Sequence, residues 1–257
     1  RKESSAASDV YKRQKFDYMY LCYNNILFSI TIEYTMKYIE IKEKNGAYSY
    51  FYYIPNFLDT VYCKQLTTWL DYMNDFNKNK NYNDDQIIRY QKWYQKKHQY
   101  FCKEWKVKYT RWNAFSYDSV LAELESYIQT RLKEDYFNDI GIHIPDLNSV
   151  LIQKYIDGNH YISAHRDTDM SFGKTPTIVN ISLGDSRDII CKRVMYNGSN
   201  KKMSKIDKEN KHLSMKFTLK EGSIFIMAGE SQQHWTHQID KESNKQTRYS
   251  LTFRELL

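Results

Sequence analysis

The sequence of 257 residues lacks several features that would mark a special class of protein. It has no run of eighteen apolar residues, so no membrane-spanning helix is predicted. Its four cysteines (Cys22, Cys63, Cys102 and Cys191) are too widely spaced for a CxxC motif, which excludes a zinc ribbon or thioredoxin-type site and gives no disulfide framework. Three prolines and an apolar fraction of 41% argue against global disorder. We expect a reducing, intracellular location, cytoplasmic or nuclear.

The N-terminal residues are not expected to be needed for the fold. The stretch "SDVYKRQ" resembles a translated sequencing adapter, so we interpret residues 1–14 as an adapter or library scar. Residues 15–35 are interpreted as upstream sequence of doubtful origin, which makes Met36 a candidate natural start. The remainder divides into an N-terminal part, residues 36–145, and a C-terminal part, residues 146–257.

The two parts differ in their predicted secondary structure. In the first part, apolar residues recur at helical spacing after Asp59 and again after Asp118, and both aspartates are plausible N-caps. After Pro145, six short strand-like runs alternate with turn residues, beginning with "SVLIQKYI" and ending with "RYSLTFREL". Helices followed by many strands predict an α+β fold whose C-terminal half closes as a barrel or double-sheet jelly roll.

The segment "YISAHRDTD" places a histidine and an aspartate two residues apart behind an apolar run. If both lie on one strand, His165 and Asp167 point to the same face and can hold one metal ion. A mononuclear iron site needs one more histidine from elsewhere in the chain. The stretch "QQHWTHQI" follows a strand and offers His234 or His237, and spacing alone does not choose between them.

The last predicted strand carries two arginines on one face. Alternation puts Arg248, Ser250, Thr252 and Arg254 on one side, and apolar residues on the other. Two guanidinium groups suit a dicarboxylate, because each pairs bidentately with a carboxylate. Taken alone, the pattern is more typical of an edge strand with a solvated polar face.

Four motifs in order, "HRDTD", "SLGDSR", "HWTH" and "RYSLTFR", make the chain resemble the AlkB-like Fe(II)- and 2-oxoglutarate-dependent dioxygenases, nearest to their nucleic-acid dealkylating members. The resemblance is densest over residues 147–257 and thinner back to about residue 50. It implies a double-stranded β-helix (jelly-roll) core preceded by helices and a nucleotide-recognition lid. It also implies Fe(II), 2-oxoglutarate as cosubstrate and O₂, with DNA or RNA carrying alkylated bases as partner of a monomeric enzyme.

The resemblance also assigns roles to individual residues. It implies that iron is held by His165, Asp167 and His237, the second histidine of the H-W-x-H pattern. It implies that 2-oxoglutarate is bound by Arg248, Arg254, Tyr155 and Gln153, where Gln153 replaces the family's usual asparagine. It implies that Asp169 contacts the target base and that Arg187 lies near the active site; both are predicted as catalytic residues. The implied reaction hydroxylates an N-methyl carbon and releases formaldehyde and succinate.

Residues 89–112 are both basic and aromatic. They hold eight Lys or Arg and eight aromatic residues, with Glu104 as the one acid. Basic groups neutralise phosphates and aromatic rings stack on bases, so we interpret the segment as part of the lid, with Trp93, Tyr94 and Tyr100 as candidate base contacts. The alternative is a hairpin with core aromatics and solvated lysines.

Two other functions stay open from the sequence. One is a 2-oxoglutarate-dependent hydroxylase of a protein or a small molecule. The other is a barrel that binds nucleic acid without turnover, which would need neither the metal-binding residues nor the paired arginines.

Overall fold

The computed structural model describes the chain over residues 36–43, 45–73, 75–76, 78, 87–97, 113–137, 143–194 and 213–257, and the backbone over residues 18–23 and 26–31. Within these ranges, no helix has the length and apolar content needed to cross a membrane. Tyr100 and the lysine-rich loop at residues 197–212 lie outside the described residues.

The described strands number fourteen. They are β1 (Tyr18–Tyr23), β2 (Ile26–Thr31), β3 (Lys37–Lys42), β4 (Tyr48–Ile54), β5 (Tyr90–Gln95), β6 (Ala114–Ser116), β7 (Ser149–Tyr155), β8 (Ile162–His165), β9 (Ile178–Gly184), β10 (Arg187–Arg193), β11 (Ser214–Leu219), β12 (Ile224–Gly229), β13 (Trp235–Ile239) and β14 (Arg248–Arg254).

Helices occur mainly in the first half of the described chain. They are α1 (Thr60–Asp71), α2 (Ser119–Arg131), which continues into a π-helical turn (Leu132–Phe137), and the single turns α3 (Asp169–Phe172) and α4 (Ser231–His234). Both predicted N-caps are confirmed: the Asp59 carboxylate accepts from the Tyr62 N–H at 2.8 Å and that of Asp118 from the Leu121 N–H at 2.9 Å. Such caps each stabilise a helix by about 1 kcal/mol, because they satisfy an otherwise unpaired N–H group.

Two sheets face each other and form the body of the molecule. The larger has the order β3-β4-β12-β9-β14-β7-β5-β6 and the smaller the order β11-β10-β13-β8. Every pair in these sheets is antiparallel except β5 with β6. The backbone of β1 pairs antiparallel with that of β2. Residues 36–145 therefore contribute four strands to the same sheet as residues 146–257.

The larger sheet is covered on both faces. On one face, α1 and α2 pack their apolar sides against alternate residues of the sheet, and the α2 side chains Leu121, Leu124 and Ile128 are fully buried. Each such side chain contributes about 1.5–3 kcal/mol by leaving water. On the other face, Phe51 and Phe225 pack against the smaller sheet through Trp235 and Phe217. The functional cavity lies in this second interface.

The six strands predicted after Pro145 are all present. The strand β14 is not an edge strand; it lies between β9 and β7, and its polar face is buried between the sheets. The "QQHWTHQI" stretch is not simply the exit of the preceding strand. It forms the helical turn α4 and then the short strand β13. The sequence of β13, "WTHQI", contains three polar residues in a row, so it does not show the apolar-polar alternation that identifies a strand.

Candidate active site

A cavity of about 340 Å³ lies between the two sheets. One wall comes mainly from β5, β7 and β14, and the other from the smaller sheet and the segment that follows β8. Seven of the nine site residues predicted from the sequence line this cavity. They are Gln153, Tyr155, His165, Asp167, His237, Arg248 and Arg254.

Three potential metal ligands meet at one end of the cavity. His165 ends β8 and is paired directly with His237 of β13, with ring centroids 4.2 Å apart. The sequence had suggested that His165 and Asp167 lie on one strand. They do not, because β8 ends at His165. The turn after β8 nevertheless brings the Asp167 carboxylate to the histidines, and one ligand atom from each residue lies within 4.8 Å of the others.

The two histidines are held in the neutral form that binds metals. Burial, and then the neighbouring His165, lower the pKa of His237 to about 3. Burial also lowers the pKa of His165. The Nδ1 atom of His165 lies 2.8 Å from the Ser163 carbonyl oxygen, which assigns the proton to Nδ1 and leaves Nε2 as the ligand atom. In the described structure, the buried Nδ1 atom of His237 has no hydrogen-bond partner.

The Asp167 carboxylate is charged although it is buried. Burial alone would raise its pKa, but the neighbouring charge of Arg254 and its hydrogen bond hold the pKa below its usual value. The Arg254 Nε atom donates a hydrogen bond to this carboxylate, and both side chains are 6% exposed. The Asp167 N–H donates to the Gln232 amide oxygen at 2.9 Å, which holds the turn in place. Two histidine nitrogens from the adjacent strands β8 and β13, and one carboxylate oxygen from the turn after β8, form the donor set of a non-haem Fe(II) site, so the residues fit the ion.

Arg248 provides a buried positive charge in the same cavity. Its Nε atom donates to the Ser182 hydroxyl at 3.0 Å, and its guanidinium lies 5.2 Å from the centre of the Tyr155 ring. Burial lowers its pKa to about 10, so it is still charged at neutral pH. Its buried Nη1 atom has no partner among the described residues. A buried cation of this kind is costly unless an anion pairs with it, so Arg248 fits a carboxylate of 2-oxoglutarate.

Comparison with known proteins agrees with this geometry. The model of the 2OG-Fe(II) oxygenase superfamily matches residues 50–254. The chain belongs to this superfamily. The sequence resemblance to AlkB-like dioxygenases is confirmed, and the superfamily implies Fe(II), 2-oxoglutarate and O₂, for which the His-Asp-His cluster is the candidate metal site.

Three relatives illustrate the similarity. The DNA oxidative demethylase ALKBH2 of Arabidopsis thaliana is 29% identical over 119 residues, which are 43% of this chain and 38% of the relative. The alpha-ketoglutarate-dependent dioxygenase alkB homolog 3 of Mus musculus is 30% identical over 108 residues, 42% of this chain and 36% of the relative. The chain thus matches less than two fifths of either relative. The structure of OsALKBH1 superimposes with a TM-score of 0.50 at 16% identity, covering 80% of this chain and 96% of that one, and confirms the α+β jelly-roll fold.

Arg187 does not itself line the cavity of this superfamily member, but its guanidinium lies 5.7 Å from the centre of the Tyr155 ring, which does. Its place near the active site agrees with the sequence, and its catalytic role stays a prediction. It is fully buried, and its guanidinium donates to the carbonyls of Asp157 at 3.3 Å, His160 at 2.9 Å and Asp240, and to the Glu242 carboxylate at 3.3 Å. Through these hydrogen bonds, the Arg187 guanidinium connects the loop after β7 to the loop after β13. Its role in the described structure is to position these loops.

Asp169 does not line the cavity either. It begins α3 and is exposed, between Thr168 and Phe172, which both line the cavity. Its predicted contact with the target base therefore depends on a substrate that reaches the outside of α3.

Sequence reasoning did not single out two polar residues of the cavity. Asn180 donates to the hydroxyls of Ser250 at 2.6 Å and Thr252 at 2.9 Å. A polar residue inside the apolar run "TIVNISL" was the available signal. Arg89 had been counted only among the basic residues expected to neutralise phosphates, but it lines the cavity.

The two candidate base contacts on β5, Trp93 and Tyr94, are neighbours in the strand and therefore point to opposite faces of the sheet. Trp93 is 5% exposed, lines the cavity, and packs with Leu151 and Phe172. Tyr94 points to the opposite face and is buried in the helix-covered core, so it is a core residue in this superfamily member and not a base contact. Its hydroxyl lies 3.7 Å from the Met73 sulfur.

Proposed function

We propose that the protein is an Fe(II)- and 2-oxoglutarate-dependent dioxygenase that oxidatively demethylates N-alkylated bases, of the 1-methyladenine and 3-methylcytosine type, in DNA or RNA. The observation that carries the proposal is that His165, Asp167 and His237 converge in a cavity that Arg248 also lines, with a buried Nη1 atom that has no partner among the described residues. A protein that only binds nucleic acid needs neither feature.

The candidate metal ligands and the two arginines have different roles in this proposal. When Fe(II), 2-oxoglutarate and O₂ are bound, they supply the oxidation that converts an N-methyl group into formaldehyde and 2-oxoglutarate into succinate and CO₂. The neutral imidazoles of His165 and His237 and the charged Asp167 hold the ion. Arg248 binds a carboxylate of the cosubstrate, and Tyr155 supports its guanidinium. Arg254 keeps the Asp167 carboxylate ionised and oriented.

The walls of the cavity favour an aromatic substrate. Trp93, Leu151 and Phe172 give an apolar surface next to the candidate ligands, and flat bases stack on aromatic side chains. A base within a duplex cannot reach residues buried between two sheets. The enzyme must therefore act on single strands or turn the base out of the helix.

The direct test measures formaldehyde and succinate from single-stranded oligonucleotides that carry 1-methyladenine or 3-methylcytosine, with Fe(II), ascorbate and 2-oxoglutarate. Both products should form with the unmodified protein and disappear in the His165→Ala variant. His234→Ala is the matched control, because His234 does not line the cavity. It should retain both products.

The other outcomes select between the alternatives. Succinate without formaldehyde would retain the dioxygenase and point to a protein or small-molecule substrate. Binding of the oligonucleotide with neither product would favour the non-catalytic barrel and contradict the proposal.

The predicted base contact of Asp169 can be tested on its own. If Asp169 contacts the base, Asp169→Ala should reduce demethylation several-fold more than it reduces succinate formation without nucleic acid. The ratio of formaldehyde to succinate measures this difference. An equal loss of both products would remove Asp169 from substrate binding.

A further inference from the structure

Arg89 reaches the cavity from the segment that precedes β5. The chain at residues 87–90 is half-buried, and Arg89 lines the same cavity as the candidate ligands. Burial lowers the pKa of its guanidinium. Arg89 is thus directed into the cavity, whereas an arginine that neutralises phosphates would be expected at the surface.

The nitrogens of Arg89 are directed at two carbonyl oxygens. The Nη1 atom donates to the Tyr161 backbone carbonyl at 3.2 Å. The hydrogen-bond network assigns the Gln153 amide so that its oxygen accepts from Arg89 Nε at 2.6 Å and from Nη2 at 3.1 Å. Two N–H groups of one guanidinium therefore donate to a single amide oxygen, a charge-assisted contact that holds the end of the Gln153 side chain in place.

The Gln153 amide continues the chain of contacts toward the candidate cosubstrate site. Its nitrogen donates to the Tyr155 hydroxyl at 3.3 Å. The Tyr155 ring in turn lies under the guanidinium of Arg248, 5.2 Å from ring centre to cation. Gln153 and Tyr155 are both buried, so the order of contacts is Arg89, Gln153, Tyr155 and Arg248.

We propose that Arg89 is a positioning residue for the cosubstrate, acting through Gln153 on Tyr155 and Arg248; this inference rests on the proposed function. The Gln153 side chain has several rotatable bonds, so its amide loses conformational freedom when it is held in one position. The two hydrogen bonds from Arg89 provide this restraint.

A double-mutant cycle tests this coupling. The variants are Arg89→Ala, Gln153→Asn and the two combined, in the full chain. The dissociation constant of 2-oxoglutarate is measured by calorimetry with Mn(II) in place of Fe(II), so that no turnover occurs. Arg89→Ala should weaken 2-oxoglutarate binding roughly tenfold, since charge-assisted hydrogen bonds are lost. In the Gln153→Asn background, where the shorter amide lies out of reach, the same change should have an effect of less than about twofold.

The controls separate positioning from general damage. The affinity for Mn(II) alone should stay the same in every variant, because none of the changes alters a metal ligand. Lys241→Ala is the matched cation control: Lys241 lies 5.2 Å from the Tyr161 ring but does not line the cavity, and its loss should leave 2-oxoglutarate binding unchanged. Arg89→Lys keeps one charged donor, and should give a smaller loss than alanine. If Arg89→Ala does not fold, the same cycle is carried out with Arg89→Lys.

The results distinguish the positioning role from the function on which it rests. An equal loss in both backgrounds, or no loss with Arg89→Ala, would overturn the positioning role while the proposed function stands. Absence of 2-oxoglutarate binding in the unmodified protein would instead overturn the proposed function.

Discussion

At the scale of single residues, buried charge determines what the cavity can bind. Asp167 and Arg254 form an ion pair with both side chains 6% exposed, whereas Arg248 has a buried Nη1 atom without a partner in the described structure. His165 and His237 are kept neutral by burial. The cavity therefore combines neutral nitrogen ligands, a carboxylate, and an arginine with a buried N–H group that has no partner among the described residues.

The first prediction concerns the metal ligands. His237→Ala removes one of three ligands and should weaken Mn(II) binding by about 100-fold or more, since changes to residues that merely support a ligand already cost about 10- to 100-fold. Calorimetric titration with Mn(II) measures this. His234 lies three residues before His237 in the sequence and does not line the cavity, so the His234→Ala variant should bind Mn(II) normally. A similar loss in both variants would contradict the assignment of His237.

The second prediction contrasts two buried arginines. Arg248→Met should weaken 2-oxoglutarate binding about 10- to 100-fold, because a charge-assisted pair contributes about 1.5–3 kcal/mol. It should not destabilise the fold, since methionine removes a buried charge that lacks a described ion-pair partner.

Arg187→Met is the comparison for this prediction. It removes the donor of four contacts and leaves buried carbonyls unpaired, so the free energy of unfolding should fall by about 3 kcal/mol or more. Urea denaturation and 2-oxoglutarate titration of both variants provide the measurements. Loss of stability in Arg248→Met to the same degree would show that its charge is structural.

At the scale of secondary-structure elements, turns fix the strands that carry the site. The turn between β9 and β10 contains Gly184, whose φ of 79° favours glycine, followed by Asp185. The Asp185 carboxylate accepts from the N–H groups of Ser186 and Gln246, each at 2.7 Å. It thereby joins this turn to the loop that leads into β14 and Arg248.

The third prediction follows from this link. The bond from the Gln246 N–H, and then that from Ser186, lower the pKa of Asp185 below its ordinary value of 3.8. A lowered folded-state pKa contributes stability above the ordinary value, and this stability is lost as pH falls through the lowered value. Asp185→Asn should therefore reduce the free energy of unfolding by about 1 kcal/mol at neutral pH. Urea denaturation should show a much smaller difference at a pH well below 3.8. A loss independent of pH would mean that the charge is not involved.

At the scale of the whole molecule, the site depends on two sheets that meet. The ligands His165 and His237 come from the smaller sheet, and Arg248 comes from the larger one. A ligand that bridges the sheets should therefore stabilise the complete fold and not only one loop.

The fourth prediction measures this stabilisation. Mn(II) with 2-oxoglutarate, at about 100 times the dissociation constant, should stabilise the protein by about 2.7 kcal/mol and raise Tm by about 5–10 °C. Differential scanning calorimetry measures the shift, and a chelator should reverse it. The His165→Ala variant should show little shift, and an equal shift in that variant would place metal binding elsewhere.

Local patterns in the sequence determined much of the fold. The N-caps Asp59 and Asp118 and the buried face of α2 follow from helical spacing, and the two faces of β14 follow from strand alternation. These features are predictable because they arise between neighbours in the chain. The motifs that contain His165, Asp167 and Arg248 could be found for the same reason.

Only the tertiary structure decided which side chains meet. It placed β14 in the centre of a sheet, set His237 directly opposite His165, joined Arg187 to the loops after β7 and β13, and directed Arg89 into the cavity. These outcomes depend on the register between strands that are far apart in sequence and on the turns that connect them. A shift of one residue in such a register turns every side chain of a strand to the opposite face, and no local pattern fixes it across that distance.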